Sequence, residues 1–271
     1  MSRIPLYLAL SACLACTPLQ AKKDKNPPQP AKPAPYPSTY RAIASGPVLL
    51  RNATVLTGTG ERLDNADVLM QDGKIAAVGK NLSAPANSRT VDATGKWITP
   101  GIIDVHSHLG VYASPGIAAT GDGNEATNPV TADVWAEHSV WPQDAGFAKA
   151  LAGGITSLQI LPGSANLVGG RSVILKNVAA ETTQAMKFPG APYGIKMACG
   201  ENPKRVYGAK GRMPSTRMGN IAVNRQTWIK AQEYKKKRDS GKEFTRDIGM
   251  ETLAGVLDGD IKIQNHCYRA D

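Results

Sequence analysis

The apolar run at residues 98–105, which ends in His106-Ser107-His108, constrains the fold more than any other feature of the chain. Such a run is typical of a strand that is buried on both faces of a parallel sheet. Because side chains alternate along a strand, His106 and His108 are expected to project from the same side. The sequence therefore predicts two imidazoles at the carboxyl end of a buried strand, with Asp104 deeper on that side.

The paired histidines indicate a metal site. Neutral imidazole binds Zn²⁺ and similar divalent ions well, and two rings on one side of a strand can share one ion. A pair with this spacing is common in sequences, so two ordinary histidines are the alternative interpretation. The context favours a metal site, because the apolar strand, Pro100-Gly101 and a segment of short strands all precede the pair.

Strand and helix patterns alternate after Trp97. The sequence predicts helices at residues 145–151, 224–238 and 251–257, and strands at residues 155–161, 172–175, 195–198 and 261–266. This alternation predicts an α/β fold with parallel strands. Residues 48–91 contain short apolar, β-branched runs instead, and Asp72-Gly73 between two of them predicts a hairpin.

The run from Thr99 to His108 resembles the signature of the amidohydrolase superfamily, as do residues 71–75 and 91–96. Residues 128–131, 163–170 and 200–205 are similar to segments of its imidazolonepropionase-like branch. The resemblance extends from about Val48 to the last residue. It implies that residues 48–97 form the N-terminal part of a composite β-sandwich. Residues 98–271 would then form the first part of a metal-dependent hydrolase barrel, an incomplete (β/α)₈ TIM-type barrel.

The resemblance also implies a set of site residues. His266 resembles the third histidine ligand, which ends the fifth barrel strand; a core histidine is the alternative. Glu201 is the candidate for a bridging or second ligand, and Lys196, as a carboxylated lysine, is its competitor. Tyr268 and Arg269 follow the third ligand and are candidates for substrate contact.

For activity, the resemblance implies hydrolysis of carbon–nitrogen bonds in small amide-like substrates, including dipeptides, by metal-activated water. One or two divalent ions are expected, with Zn²⁺ preferred. The histidine of the sixth strand and the proton-accepting aspartate are expected beyond residue 271. No catalytic residue is therefore assigned, and the chain resembles the first part of a longer enzyme. The alternative from another class is a non-catalytic binding or structural fragment with a degenerate metal site.

The N-terminal residues predict export to the bacterial periplasm or beyond. Residues 1–21 read as a signal peptide, with Arg3 before a short apolar run. Residues 22–47 read as a proline-rich linker. Leu10-Ser11-Ala12-Cys13 fits a lipobox, so a lipid anchor at Cys13 is the alternative to ordinary cleavage.

The remaining chemistry-bearing residues have plainer interpretations. Cys199 and Cys267 are predicted to be isolated buried thiols. His138 stands among polar residues and is predicted at the surface. Residues 163–170 are predicted to form a substrate-facing loop. The net charge is +10, but the basic cluster at residues 235–238 lacks a nucleic-acid motif or interleaved aromatic residues. A solvated helix face is therefore expected there, and no nucleic-acid partner. The oligomeric state is not predicted.

Overall fold

The computed structural model describes residues 35–269. The predicted signal peptide, Cys13 and most of the predicted linker lie outside the described residues. Within them, two β-sheets carry the fold, and helices pack on the second one. No helix in this part of the chain combines the length and the apolar character needed to cross a membrane.

The first sheet contains five strands: β1 (Val48–Leu56), β2 (Arg62–Gln71), β3 (Lys74–Gly79), β4 (Arg89–Asp92) and β5 (Trp97–Ile98). Their order is β3-β2-β1-β4, and β5 also pairs with β1. The predicted hairpin is confirmed, because β2 and β3 are antiparallel and Gln71 is paired with Lys74. Asp72 and Gly73 form its turn with φ values of 53° and 70°, a backbone conformation that aspartate and glycine tolerate.

The second sheet also has five strands: β6 (Ile102–Ser107), β7 (Ile155–Ile160), β8 (Val168–Lys176), β9 (Gly194–Gly200) and β10 (Lys262–Tyr268). Their order is β10-β9-β8-β7-β6. The pairs β6–β7 and β9–β10 are parallel, whereas β8 is antiparallel to both of its neighbours. The prediction of parallel strands throughout is therefore wrong at β8. The chain returns from β7 to β8 through residues 161–167 without a helix, and a connection this short suits antiparallel pairing.

Within residues 35–269 there are five α-helices: α1 (Ala145–Ala152), α2 (Thr183–Met186), α3 (Glu201–Gly208), α4 (Arg217–Asp239) and α5 (Ile248–Leu257). The three predicted helices are confirmed as α1, α4 and α5. Helix α4 begins seven residues before the predicted start at residue 224, because the side chain of Thr216 caps it by accepting a hydrogen bond from Gly219 N–H. Helix α1 begins after Asp144, whose carboxylate accepts from Gly146 N–H at 2.8 Å.

Strand β6 is not buried on both faces, contrary to the prediction from its apolar run. Ile102, Ile103 and Val105 expose 53%, 68% and 66% of their surface. The physical reason is that β6 is the edge strand of the second sheet and pairs only with β7 among residues 35–269. The apolar run predicted a buried strand, but no part of residues 35–269 covers the outer edge of β6.

The end of the predicted linker packs against the folded chain. Ser38 Oγ donates to the carbonyl of Lys187 at 2.6 Å, and Thr39 N–H donates to the carbonyl of Gln184 at 3.0 Å. Lys187 Nζ in turn donates to the carbonyl of Tyr36 at 2.5 Å. Residues 36–39 are therefore held beside α2 and are not a free spacer.

Cys199 and Cys267 form a disulfide, so the prediction of isolated thiols is wrong. They are 68 residues apart in sequence, but the parallel pairing of β9 with β10 places them directly opposite each other, with their Cα atoms 4.5 Å apart. The two cysteines are close because of the register between β9 and β10, which are neighbours in the sheet but distant in sequence. The spacing of the cysteines in the sequence does not predict this proximity.

Candidate metal centre

Three of the four histidines lie together, although they come from opposite edges of the second sheet. The ring centroids of His106 and His108 are 5.2 Å apart, and those of His106 and His266 are 5.6 Å apart. In a flat sheet, four strand spacings would separate β6 from β10 by about 19 Å. The sheet therefore curls strongly, and the curl brings the carboxyl ends of its edge strands together.

Two of these imidazoles are held by hydrogen bonds at Nδ1. Nδ1 of His108 lies 2.8 Å from the carbonyl oxygen of Leu161, which makes this nitrogen the donor. Nδ1 of His266 lies 2.6 Å from Oγ of Ser164. Metal-binding histidines commonly use one ring nitrogen in this way, which orients the ring and leaves the other nitrogen for the ion. In both rings the free nitrogen is Nε2.

The surroundings favour neutral imidazoles. Burial lowers the pKa of His106, and the nearby positive charges of Lys196 and of the other two histidines lower it further. Burial is also the main cause that lowers the pKa of His108, although the hydrogen bond to Leu161 partly opposes it. Neutral imidazole is the form that binds a metal ion, so both rings are ready to act as ligands near pH 7.

Lys196 belongs to the same cluster. Its side chain projects from β9 and is only 1% exposed, and Nζ donates to the carbonyl of Pro162 at 3.2 Å and to Ser164 Oγ at 3.1 Å. Burial lowers the pKa of Lys196 to about 8. Because Ser164 also contacts His266, a chain of polar contacts joins the lysine to the histidines.

The other predicted site residues lie at the rim. Glu201 is the first residue of α3, and its carboxylate lies 3.3 Å from Nε of Arg269, whose side chain is 70% exposed. The ring centroid of Tyr268 lies 6.2 Å from that of His266. Glu201 is therefore engaged by Arg269, whereas no contact joins it to the histidines among the described residues. The ligand and substrate roles of these residues stay predictions.

The structure adds two residues that sequence reasoning did not single out. The ring of Tyr112 lies 5.7 Å from that of His108, and the Tyr112 hydroxyl accepts a hydrogen bond from Asn124. Gly163 allows this approach, because a Cβ there would lie 2.3 Å from Asn124 Nδ2 and 2.5 Å from the Tyr112 hydroxyl. Both residues follow β6, so their place in the loop after the histidine strand was the only available signal.

The loop at residues 163–170 is only partly a loop. Ser164 faces the histidines, whereas Val168, Gly169 and Gly170 belong to β8. His138 is exposed, as predicted, and its ring stacks on Trp135 at a centroid distance of 5.7 Å. Among the described residues, no ring contact joins it to the three clustered histidines.

The donor set suits a divalent ion such as Zn²⁺. It consists of three imidazoles, two of which have Nδ1 already engaged, with a buried amine beside them. With the side chains as they stand, however, no group of three or more His, Cys, Asp or Glu residues within residues 35–269 is close enough to hold a metal ion. Closing the imidazoles around an ion requires the side chains to rotate.

The comparison with known proteins found no matching family model. Amidohydrolase tasK of Hapsidospora irregularis is 31% identical over an alignment of 261 residues, and the match covers 82% of this chain and 27% of the relative. The crystal structure of an amidohydrolase from Thermotoga maritima MSB8 is 43% identical with a TM-score of 0.76, covering 83% of this chain and 59% of that one.

A shorter match is local to part of the chain. D-hydantoinase of Geobacillus stearothermophilus is 46% identical over 61 residues, which is 22% of this chain and 12% of the relative. The chain thus spans between about a quarter and three fifths of the length of the two relatives that match most of it. Since the long matches extend through both sheets and agree in fold as well as in sequence, the chain belongs to the amidohydrolase superfamily.

Proposed function

We propose that this chain provides three of the histidine ligands of an exported, metal-dependent hydrolase that cleaves carbon–nitrogen bonds in small amide-like substrates. The observation that carries the proposal is the convergence of His106, His108 and His266 from opposite edges of one curled sheet. The names of the relatives, amidohydrolase and D-hydantoinase, support hydrolysis as the reaction class.

The residues of the chain have distinct tasks in this proposal. The three histidines would hold a divalent ion, while the Leu161 carbonyl and the Ser164 hydroxyl orient two of the rings. The chemistry that such an ion supplies is that of a Lewis acid, which polarises a carbonyl group and lowers the pKa of water. Tyr112, held by Asn124, flanks the centre and can contact substrate. The proton acceptor is not among the residues assigned here.

For a second ion, we infer that Lys196 is better placed to bridge than Glu201. Lys196 is buried and shares Ser164 with His266, whereas Glu201 is paired with Arg269. As a ligand, Lys196 would first be carboxylated: its neutral amine forms a bond to the carbon of CO₂ and releases a proton. The lowered pKa of Lys196, about 8, supports a neutral fraction near pH 7.

We further infer that the second sheet is part of a (β/α)₈ barrel and the first sheet part of a β-sandwich. The strong curl and the TM-score of 0.76 to the Thermotoga amidohydrolase support the barrel. The exposed apolar residues of edge strand β6 support further pairing there, since a closed barrel has no free edges.

Export remains part of the proposal. The disulfide between Cys199 and Cys267 supports it, because disulfides persist in the oxidising periplasm and outside the cell but are rare in the cytosol. Zn²⁺ is the preferred ion because histidine nitrogen is among its favoured ligands. The small-molecule substrate and the alternative lipid anchor at Cys13 also stay proposals.

The proposal is tested by measuring Zn²⁺ binding to the full chain with isothermal titration and elemental analysis. The wild-type chain is expected to bind at least one equivalent, and His106→Ala should lower the affinity at least tenfold. His138→Ala is the matched control, because this exposed histidine stacks on Trp135 and has no ring contact with His106, His108 or His266 among the described residues. Equal affinity in the His106→Ala and His138→Ala variants would refute the proposed centre.

The same proteins are then assayed for hydrolysis of hydantoins, dihydroorotate and dipeptides. Metal-dependent release of product by the wild-type chain, lost in His106→Ala, supports the hydrolase. Because no proton acceptor is assigned among these residues, the assay is repeated with a longer version of the protein that supplies one. Metal binding without hydrolysis of any of these by that version would favour the non-catalytic binding fragment. For the bridging ligand, Lys196→Ala is compared with Glu201→Gln, and only the lysine variant is expected to reduce binding of a second ion.

A further inference from the structure

Residues 202–232 carry an unusual charge pattern that the metal centre does not explain. This stretch contains seven basic residues and no Asp or Glu: Lys204, Arg205, Lys210, Arg212, Arg217, Arg225 and Lys230. It covers most of α3, the connecting loop and about the first two thirds of α4. The pattern concentrates positive charge on one part of the structure, and it lies before the basic cluster at residues 235–238.

Apolar side chains are exposed within the same stretch. Met213, Met218, Ile221 and Ile229 expose 59%, 79%, 57% and 48% of their surface. Burying these side chains in an apolar environment would be favourable, so their grouping points to an interaction surface.

The exposed residues share one face of α4. Met218, Ala222, Arg225 and Ile229 follow at intervals of four, three and four residues, which places them along one stripe of a helix. The opposite face of α4 is buried and includes Thr227, Ala231 and Tyr234. The outer stripe therefore combines apolar and basic side chains and is left uncovered by residues 35–269.

A groove extends this stripe at the start of the helix. Its volume is about 550 Å³, and its lining includes Arg212, Met213, Met218 and Ala222. The connecting loop and the helix thus contribute basic and apolar groups to the same concave surface. Arg225 and Lys230 lie further along α4 and have no ion-pair partner among the described residues.

We propose that the outer face of α4, together with the loop at residues 209–216, docks onto an anionic lipid surface. An interfacial helix buries an apolar face at the boundary between headgroups and acyl chains, while its basic residues contact anionic headgroups. The absence of acidic residues from 202 to 232 removes the charges that anionic lipids would repel. This surface lies in α4 and the loop before it, so the proposal does not depend on the proposed hydrolase activity.

The charge and the shape favour lipid over nucleic acid. Apolar methionine and isoleucine side chains can enter an acyl-chain boundary, whereas single-stranded nucleic acids stack on aromatic rings. The exposed apolar residues named above include no aromatic one. Lipid is therefore the occupant to which the proposal commits.

The test uses sedimentation of the full chain with vesicles of phosphatidylcholine, with or without phosphatidylglycerol. Binding is expected only with phosphatidylglycerol, and it should weaken as salt is added. The variant Arg225→Gln/Lys230→Gln should weaken binding about thirtyfold, from about fivefold per basic residue. Lys74→Gln/Lys80→Gln is the matched control, because it removes two exposed lysines from the region of the first sheet and should bind like the wild type.

A second variant, Met218→Ser/Ile221→Ser/Ile229→Ser, tests the apolar contribution and should also abolish most of the binding. Its circular dichroism should match the wild type, because all three residues are exposed. Unchanged vesicle binding in both α4 variants would overturn the proposal, since residues outside α4 would then cause the binding. It would also be overturned if the patch mediated binding to single-stranded DNA, or self-association, without binding to vesicles.

Discussion

Ser164 Oγ lies 2.6 Å from Nδ1 of His266, although 102 residues separate them in sequence. The same hydroxyl oxygen lies 3.1 Å from Nζ of Lys196. Ser164 therefore links the histidine of β10 with the buried lysine of β9. The contact with Ser164 orients the His266 ring. Within residues 35–269, neither His106 nor His108 makes a hydrogen bond to that ring.

We expect Ser164→Ala to weaken Zn²⁺ binding about tenfold or more, because loss of a partner that orients a ligand costs that much in metal affinity. The measurement is isothermal titration of Zn²⁺ into the full chain. Ser164→Thr retains a hydroxyl group and should stay closer to the wild type. An unchanged dissociation constant in Ser164→Ala would show that Ser164 does not support the centre.

The disulfide should contribute substantially to stability. The bridge closes a separation of 68 residues, for which chain entropy predicts a contribution of about 4 kcal/mol. The double variant Cys199→Ser/Cys267→Ser should lower the free energy of unfolding by up to this amount in urea denaturation. Reductant should lower the stability of the wild type alone. If reductant affected both proteins equally, the bridge would not be the cause.

The buried ion pair between Glu137 and Lys187 should be sensitive to removal of one partner. Lys187 Nζ lies 2.6 Å from Glu137 Oε2, and the Tyr193 hydroxyl donates to Glu137 Oε1 at 2.7 Å. The side chains of Glu137 and Lys187 are 0% and 6% exposed. Glu137→Gln leaves the buried ammonium without its counter-charge, so we expect a loss of about 3–5 kcal/mol in the free energy of unfolding.

The control for this pair is Glu137→Leu/Lys187→Met, which removes both charges. It should lose less stability than Glu137→Gln, because no unpaired charge remains buried. Urea denaturation at neutral pH measures both variants. A larger loss in the double variant would mean that packing, and not charge compensation, dominates at this position.

Glu251 should link stability to pH at the acidic end. Its pKa is lowered mainly by the hydrogen bond from Arg246, although burial opposes this shift. A carboxyl group whose folded pKa is depressed stabilises the fold above the unfolded value, near 4.5, and loses this contribution as the pH falls through the folded pKa. Arg246→Ala should therefore destabilise the protein above about pH 4.5, where Glu251 is ionised in both states. It should make little difference at a pH below the folded pKa of Glu251.

The effect should be less than about 1 kcal/mol, because Arg246 is largely exposed and surface pairs contribute little. Thermal unfolding of both proteins across acidic pH measures it. Arg225→Ala serves as the control, since Arg225 is exposed and is expected to show no such dependence. A difference between wild type and Arg246→Ala that persisted at the lowest pH would contradict the assignment.

Local patterns predicted the elements well. The apolar run before His106 predicted β6, Asp72-Gly73 predicted the β2–β3 hairpin, and α1, α4 and α5 lie where helices were expected. These features depend on side-chain periodicity and turn conformation, which act over a few residues. Helix boundaries were less accurate, because the start of α4 depends on the cap that Thr216 provides.

The sequence by itself carried the resemblance to the family, through the run from Thr99 to His108, and it predicted that His106 and His108 project from the same side of one strand. Only the tertiary structure decided which residues distant in sequence meet at the centre and in the sheet. The curl of the second sheet brings His266 to His106, the short return from β7 reverses β8, and the β9–β10 register pairs Cys199 with Cys267. Each of these depends on the pairing of strands distant in sequence, which local side-chain patterns do not encode.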